Sequence, residues 1–127
     1  MTRVIINGSK GRMGQALLSC GEANPDIEIS SGIDVGDSLA DVIAGSDAVI
    51  EFSFHEITRS VAELCAEHKK ALVIGTTGHA VEDKEAILKL QSEIPIVWAS
   101  NFSTGVNTLF WLTRKATEVL GADFDLE

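Results

Sequence analysis

The sequence predicts an α/β fold in which a doubly wound, mostly parallel sheet carries helices on both faces. Three observations predict it. Short β-branched runs alternate with stretches of helical periodicity along the chain. The runs are near-continuous in apolar residues, as strands buried on both faces require. Three glycines, Gly8, Gly11 and Gly14, fall where the first run gives way to the first helix.

Arg3-Val4-Ile5-Ile6-Asn7 is a β-branched run closed by a glycine and reads as a buried strand. A helix is expected over 12–23, with Met13, Ala16, Leu17 and Cys20 at helical spacing, stopped by Asn24-Pro25-Asp26. Residues 27–34 alternate and predict a second strand, 38–44 a short helix, and 48–52 a third strand. Residues 55–69 predict an amphipathic helix with Ile57, Val61, Leu64 and Cys65 on one face. Ala71-Leu72-Val73-Ile74 is a fourth strand, 81–93 a helix, and 94–99 a fifth strand in which Pro95 suits only the start. A last helix spans 106–120 and ends at Gly121. Its segment Leu109-Phe110-Trp111-Leu112 is apolar nearly all round, so it expects cover on more than one face. Residues 124–127 begin something strand-like.

A chain of 127 residues makes one domain and buries a sizeable core without disulfides or metals. Ten basic residues against nineteen acidic ones give a net charge of −9, which argues against nucleic acid and anionic membranes as partners. No apolar run exceeds four residues, so neither a membrane span nor a secretory h-region is expected. Cys20 and Cys65 are too few for a disulfide framework and read as free thiols of a cytoplasmic protein, packed on apolar helix faces. The absence of tyrosine removes mechanisms that need a phenol.

Gly8-x-x-Gly11-x-x-Gly14, after a strand and opening a helix, stands where a doubly wound sheet of Rossmann type binds a pyrophosphate. Gly8 permits the tight turn, Gly11 lets backbone amides approach phosphate oxygens, and Gly14 lets the helix pack close to the strand. The helix N-terminus then offers free N–H groups and a positive dipole end. Residues 1–21 hold Arg3, Lys10 and Arg12 and no acid, in an otherwise acidic chain. A glycine-rich turn without a ligand would look the same in spacing alone. Asp34, twenty residues beyond Gly14, is placed either to accept the adenosine ribose hydroxyls or to serve as a strand-end turn residue. No Lys or Arg lies between Arg12 and Arg59, so NAD suits the site better than NADP, unless the long side chain of Lys10 reaches across from the glycine loop to a 2′-phosphate.

Gly75-Thr76-Thr77-Gly78 and Asn101-Phe102-Ser103-Thr104-Gly105 follow the fourth and fifth strands, at the edge where open α/β sheets bind ligands. Their side chains either hydrogen-bond a ligand or cap the following helices. His55, His68 and His79 have no metal-ligand spacing with the cysteines, so no metal is expected.

The ordered set Asn7-Gly8-Ser9-Lys10-Gly11-Arg12-Met13-Gly14, Val49-Ile50-Glu51-Phe52-Ser53, Val73-Ile74-Gly75-Thr76-Thr77-Gly78 and Ala99 through Asn107 closely resembles the amino-terminal, dinucleotide-binding part of the dihydrodipicolinate reductases, also called 4-hydroxy-tetrahydrodipicolinate reductases. The resemblance runs over the whole chain. It implies reduction of a cyclic dicarboxylate with NADH or NADPH, in the diaminopimelate and lysine pathway, by a homotetramer. It also implies cofactor contacts at Gly8, Ser9, Lys10, Gly11, Arg12, Met13, Asp34, Phe52, Gly75, Thr76, Thr77, Ala99, Ser100, Asn101 and Phe102, with Thr77 near the substrate. Phe52-Ser53 departs from the usual Phe-Thr, and Phe54-His55 replaces a stretch that commonly contains proline.

The family's H-H-x-x-K motif and S-G-T loop, which belong to its second domain, do not occur in this sequence. The expectation is therefore a dinucleotide-binding domain over 1–121, with 122–127 starting the crossover into a substrate domain. No catalytic residue and no turnover are expected in this chain alone. Two other readings are a non-enzymatic dinucleotide sensor and another two-domain NAD-dependent dehydrogenase.

Overall fold

The computed structural model describes residues 1–125. Its elements in chain order are β1 (Thr2–Asn7), α1 (Arg12–Glu22), β2 (Ile27–Ile33), α2 (Leu39–Val42), β3 (Ala48–Glu51), α3 (His55–Glu67), β4 (Ala71–Ile74), α4 (Val81–Lys89), β5 (Ile96–Trp98) and α5 (Thr104–Leu120). Single 3-10 turns extend α2 and α4. The five strands form one parallel sheet in the order β2-β1-β3-β4-β5. The chain leaves β1 for β2 on one side and returns to β3 on the other, which makes the β1/β3 junction the switch point of the sheet.

Register and alternation decide what each face buries. Ile5, Val49 and Leu72 are cross-strand neighbours and share one face, packed against Leu39, Ile43, Val61, Ala62, Cys65, Ala66 and Ile87. That face holds the hydrophobic core, under α2, α3 and α4. On the opposite face α1 buries Val4 and Ile6. Farther along the same row the cover thins: Ile50 and Val73 are half-buried and Val97 is 56% exposed. Both faces carry helices as expected, but the near-continuous burial expected of every strand holds only for residues 4–7 of β1; β2, on which α1 also packs, alternates half-buried and exposed up to the buried Ile33.

α1 packs through glycine. Gly14 and Gly21, two turns apart, are its buried residues, with Leu17 and Leu18 half-buried beside them. The expected apolar stripe is thereby corrected: Met13, Ala16 and Cys20 are exposed. A Cβ on Gly21 would stand 2.4 Å from Ile29 Cδ1, so the missing side chain is what lets the helix sit this low on the sheet. In α3 the buried face is shifted by one residue: Thr58 is buried and Ile57 is exposed, while Val61 and Cys65 face the core as expected. The Thr58 hydroxyl is satisfied by donating to the Phe54 carbonyl at 3.3 Å.

α5 begins at Thr104, two residues earlier than the periodicity suggested, because Ser103 Oγ caps it by accepting from the Val106 N–H at 3.2 Å. It ends at Gly121, whose φ of 76° suits glycine. None of its residues is buried, and Leu109, Phe110, Trp111 and Leu112 are each at least half exposed. The strand-like reading of 124–127 is not met at Phe124 and Asp125, which form a bend and an irregular position, while Leu126 and Glu127 lie outside the described residues.

Candidate functional site

The loop after β1 is shaped by close backbone approach. Gly8 has φ 86°, and a Cβ there would lie 2.3 Å from the Phe52 carbonyl oxygen. A Cβ on Gly14 would lie 2.1 Å from the Gly8 carbonyl oxygen, whereas Gly11 meets only that oxygen, at 3.3 Å. The three glycines thus serve a turn, an open approach and helix-to-loop packing. The Gly8 and Ser9 N–H groups both donate to Ile33 O at 2.9 and 3.0 Å, fastening the loop to the end of β2. Gly11 is the N-cap of α1, and no side chain caps the helix. Its first-turn amides and positive dipole end therefore face outward without a local acceptor.

A cavity of about 760 Å3 opens at the switch point. Gly8, Lys10, Gly11, Asp34 and Phe52 line it among the expected residues. Asn7, Ser53, Phe54 and Ile57 join them without having been singled out, and the exposed Ile57 explains the rotated face of α3. Ser9 is buried, and Arg12 and Met13 are exposed on the first helical turn, so these three stand beside the cavity and not in its lining. Asp34 serves the turn at the end of β2 and also lines the cavity. One carboxylate oxygen accepts the Val35 N–H and the other the Lys10 N–H, each at 2.8 Å, while the side chain lines the cavity. These N–H bonds, Val35 first, hold its carboxyl below the usual range, so it is ionised at neutral pH.

The loops after β4 and β5 border a second cavity of about 520 Å3, lined by Thr76, Thr77, Ala99 and Ser100 together with His79 and Trp98. The Phe52 ring connects the two regions. It lies over Gly75, where a Cβ would stand 2.0 Å from Phe52 Cζ, and its centroid is 6.1 Å from that of Phe102. Asn101 and Phe102 line neither cavity. Asn101 Oδ1 accepts the Ser103 N–H and an Asn107 Nδ2 hydrogen, both at 3.1 Å, and so builds the turn into α5. Helix capping accounts for Ser103 but not for the threonines, since the N-cap of α4 is Ala80.

His79 is buried edge-on to Trp98, with centroids 5.0 Å apart, and 6.4 Å from His55. Its Nε2 has no hydrogen-bond partner among the described residues. Burial first, then the charges of His55 and Lys84, lower its pKa and favour the neutral imidazole. The other groups around the second cavity are mostly hydroxyls and apolar side chains, able to bind and orient a ligand but not to exchange protons near neutrality.

Sequence reasoning missed Glu51. The last residue of β3 is fully buried, with both carboxylate oxygens hydrogen-bonded to residues of three loops. An acid closing the apolar run Val49-Ile50 was the available signal. Below it, burial and then the charge of Glu51 push the Cys65 thiol up to about 12, so Cys65 is an inert packing residue as expected, unlike the exposed Cys20.

Among the described residues no group of three or more His, Cys, Asp or Glu side chains is placed to hold a metal, and no helix is long and apolar enough to cross a membrane. A family model described as "Dihydrodipicolinate reductase, N-terminus" matches residues 2–102. A 4-hydroxy-tetrahydrodipicolinate reductase of Akkermansia muciniphila is 43% identical over 127 residues, covering 100% of this chain and 52% of the relative. One of Desulfotalea psychrophila is 38% identical, covering 100% of this chain and 56% of the relative. The chain thus spans about half the length of the curated relatives it matches. The solved structure of a dipicolinate-bound dihydrodipicolinate reductase from Paenisporosarcina sp. TG-14 superposes with a TM-score of 0.78 at 22% identity, covering 92% of this chain and 54% of that one, a likeness of fold. On the match of the family model and of these relatives, the chain belongs to the dihydrodipicolinate reductase family, of which it is the amino-terminal domain.

Proposed function

We propose that residues 1–121 form a dinucleotide-binding domain that presents a reduced nicotinamide to a cyclic dicarboxylate, within a 4-hydroxy-tetrahydrodipicolinate reductase of lysine and diaminopimelate biosynthesis. Residues 122–127 then lead toward a substrate-holding part, and a homotetramer is the assembly the family resemblance implies. The observation that carries this reading is the cavity at the β1/β3 switch point, bordered by Gly8, whose position leaves no room for a Cβ, and by Gly11 at the uncapped start of α1. A pyrophosphate fits there because the uncapped start of α1 offers amides, and Lys10 and Arg12 of the acid-free residues 1–21 stand at or beside the cavity.

In this reading Arg12 and Met13 offer the pyrophosphate their backbone amides and Lys10 and Arg12 their cationic side chains, while Gly8, Ser9 and Gly11, whose N–H groups are bonded to Ile33 O and Gly8 O, shape the loop that receives it. Asp34 takes the adenosine ribose hydroxyls. Phe52, Gly75, Thr76 and Thr77, with Ala99, Ser100, Asn101 and Phe102, bound the nicotinamide end and keep water from it, Thr77 being nearest the substrate. The bound reduced nicotinamide supplies a hydride from its C4. The chain contributes position and exclusion of water, and no acid or base of its own.

The ionised Asp34 repels a 2′-phosphate, and the sequence between Arg12 and Arg59 offers no cation to offset it, so NADH is the favoured partner. Titration of the chain with NADH and NADPH, followed by nicotinamide fluorescence, tests both points. NADH should bind more tightly, and D34A should weaken NADH severalfold while narrowing the gap to NADPH. Equal NADH affinity in wild type and D34A removes Asp34 from the site; no binding of either cofactor refutes the domain's role.

A further inference from the structure

Among the described residues, one fully buried acidic side chain is not used by the dinucleotide reading. Glu51 ends the central strand β3 with no exposed surface. It stands in a cross-strand row between Asn7 of β1 and Ile74 of β4. One carboxylate oxygen accepts from Asn7 Nδ2 at 2.5 Å. The other accepts the Ser53 N–H at 2.9 Å, the Ser53 hydroxyl, and the Thr76 hydroxyl at 3.3 Å. All four donors are neutral, so the carboxylate is stabilised by hydrogen bonds alone.

Packing does not call for an acid here. Val49, two residues earlier on the same face, fills the equivalent place with an apolar side chain. Burying a carboxylate costs free energy that its hydrogen bonds must replace. The arrangement instead has a geometric consequence. Asn7 immediately precedes Gly8, Ser53 follows Phe52, and Thr76 follows Gly75. Those three neighbours are the positions where the loops come closest: Gly8 against the Phe52 carbonyl, and the Phe52 ring against Gly75. The two carboxylate oxygens give these donors one shared acceptor centre.

We propose that Glu51 is a positioning residue whose buried carboxylate gathers Asn7, Ser53 and Thr76, and so holds the loops after β1, β3 and β4 in the arrangement that receives the dinucleotide. This rests on the dinucleotide reading above and assigns the preorganisation of that site to one side chain away from the ligand. A glutamine has the same shape, but its NH2 either meets the Ser53 N–H, donor against donor, or forces the Asn7 amide to turn its oxygen inward, so the donor set around this centre is broken. An aspartate keeps the charge and is one methylene too short to serve all three loops.

The test measures melting temperature without ligand and NADH affinity well below it, for wild type, E51Q and E51D. The expected result is at least tenfold weaker NADH binding by folded E51Q and partial recovery in E51D, with amide shifts of Gly8, Ser53 and Thr76 displaced together in each variant. A purely structural role lowers the melting temperature and leaves the affinity of the folded fraction unchanged; that outcome overturns the proposal. If E51Q does not fold, E51D decides, and wild-type affinity there overturns it. Wild type that binds no NADH refutes the dinucleotide reading itself and this assignment with it. Wild type that binds while E51Q binds equally well refutes only the role of Glu51.

Discussion

Replacing Gly14 by alanine tests the packing that shapes the glycine loop. The new Cβ would stand 2.1 Å from Gly8 O, 2.6 Å from Ser9 Cα and 2.8 Å from Ser9 C. Ordinary contact begins at 3.4 Å, so the start of α1 must retreat by about 1.3 Å. All three atoms are backbone and no rotamer change relieves them. Helix propensity favours alanine by about 1 kcal/mol, and overpacking of this kind costs about 3 kcal/mol. The net loss is then about 2 kcal/mol, or about 8 °C in Tm for a domain of this length. Gly21→Ala is the control: its Cβ meets side-chain atoms and no backbone, Ile29 Cδ1 and Cγ1 at 2.4 and 2.8 Å and Ile27 Cγ2 at 3.8 Å, so a rotamer change of Ile29 relieves part of the overlap. Thermal melts should therefore place G14A well below G21A. NADH affinity should fall in G14A, because the first-turn amides move with the helix, and hold in G21A. A G14A protein as stable as G21A, with wild-type NADH affinity, would refute the reasoning.

Three further outcomes follow from burial and charge. A thiol reagent should modify Cys20 rapidly in the native chain and Cys65 only after denaturation; two fast thiols in the folded protein would contradict the packing of α3. His79 has a folded pKa below its ordinary 6.5, so the unfolded chain takes up a proton that the folded one refuses. Stability should thus be level above that pH and fall as pH drops through 6.5, with a shallower fall in H79N, measured by denaturant melts across the range. The exposed apolar face of α5 should drive concentration-dependent self-association, relieved by W111K; sedimentation as a monomer at high concentration would count against it.

What the sequence made legible was the part that patterns encode locally. Strand positions, their parallel pairing and the glycine loop follow from β-branched runs, helical spacing and turn chemistry, which act over a few residues. The face of α1 was not legible, because Gly14 and Gly21 pack by lacking a side chain and carry no hydrophobic signal. Thr58 in place of Ile57 was missed for a related reason: a hydroxyl that bonds its own helix can be buried, and a cavity can expose an isoleucine. Glu51 depends on Asn7 and Thr76, 44 and 25 residues away along the chain, and His79 on a packed ring, and no local pattern anticipates either. Spacing alone did not separate the two readings of Asp34, since the turn it makes and the cavity it lines are the same place.

The central claim is that the switch-point cavity receives a dinucleotide, and amide chemical-shift mapping of the chain under NADH titration tests it most directly. The account predicts saturable shifts concentrated at residues 8–13, at Asp34, and in the segments 52–53 and 75–77, with α5 and the outer face of α4 unmoved. Saturable shifts confined to α5 or to the α4 surface, or none at millimolar NADH, would contradict it.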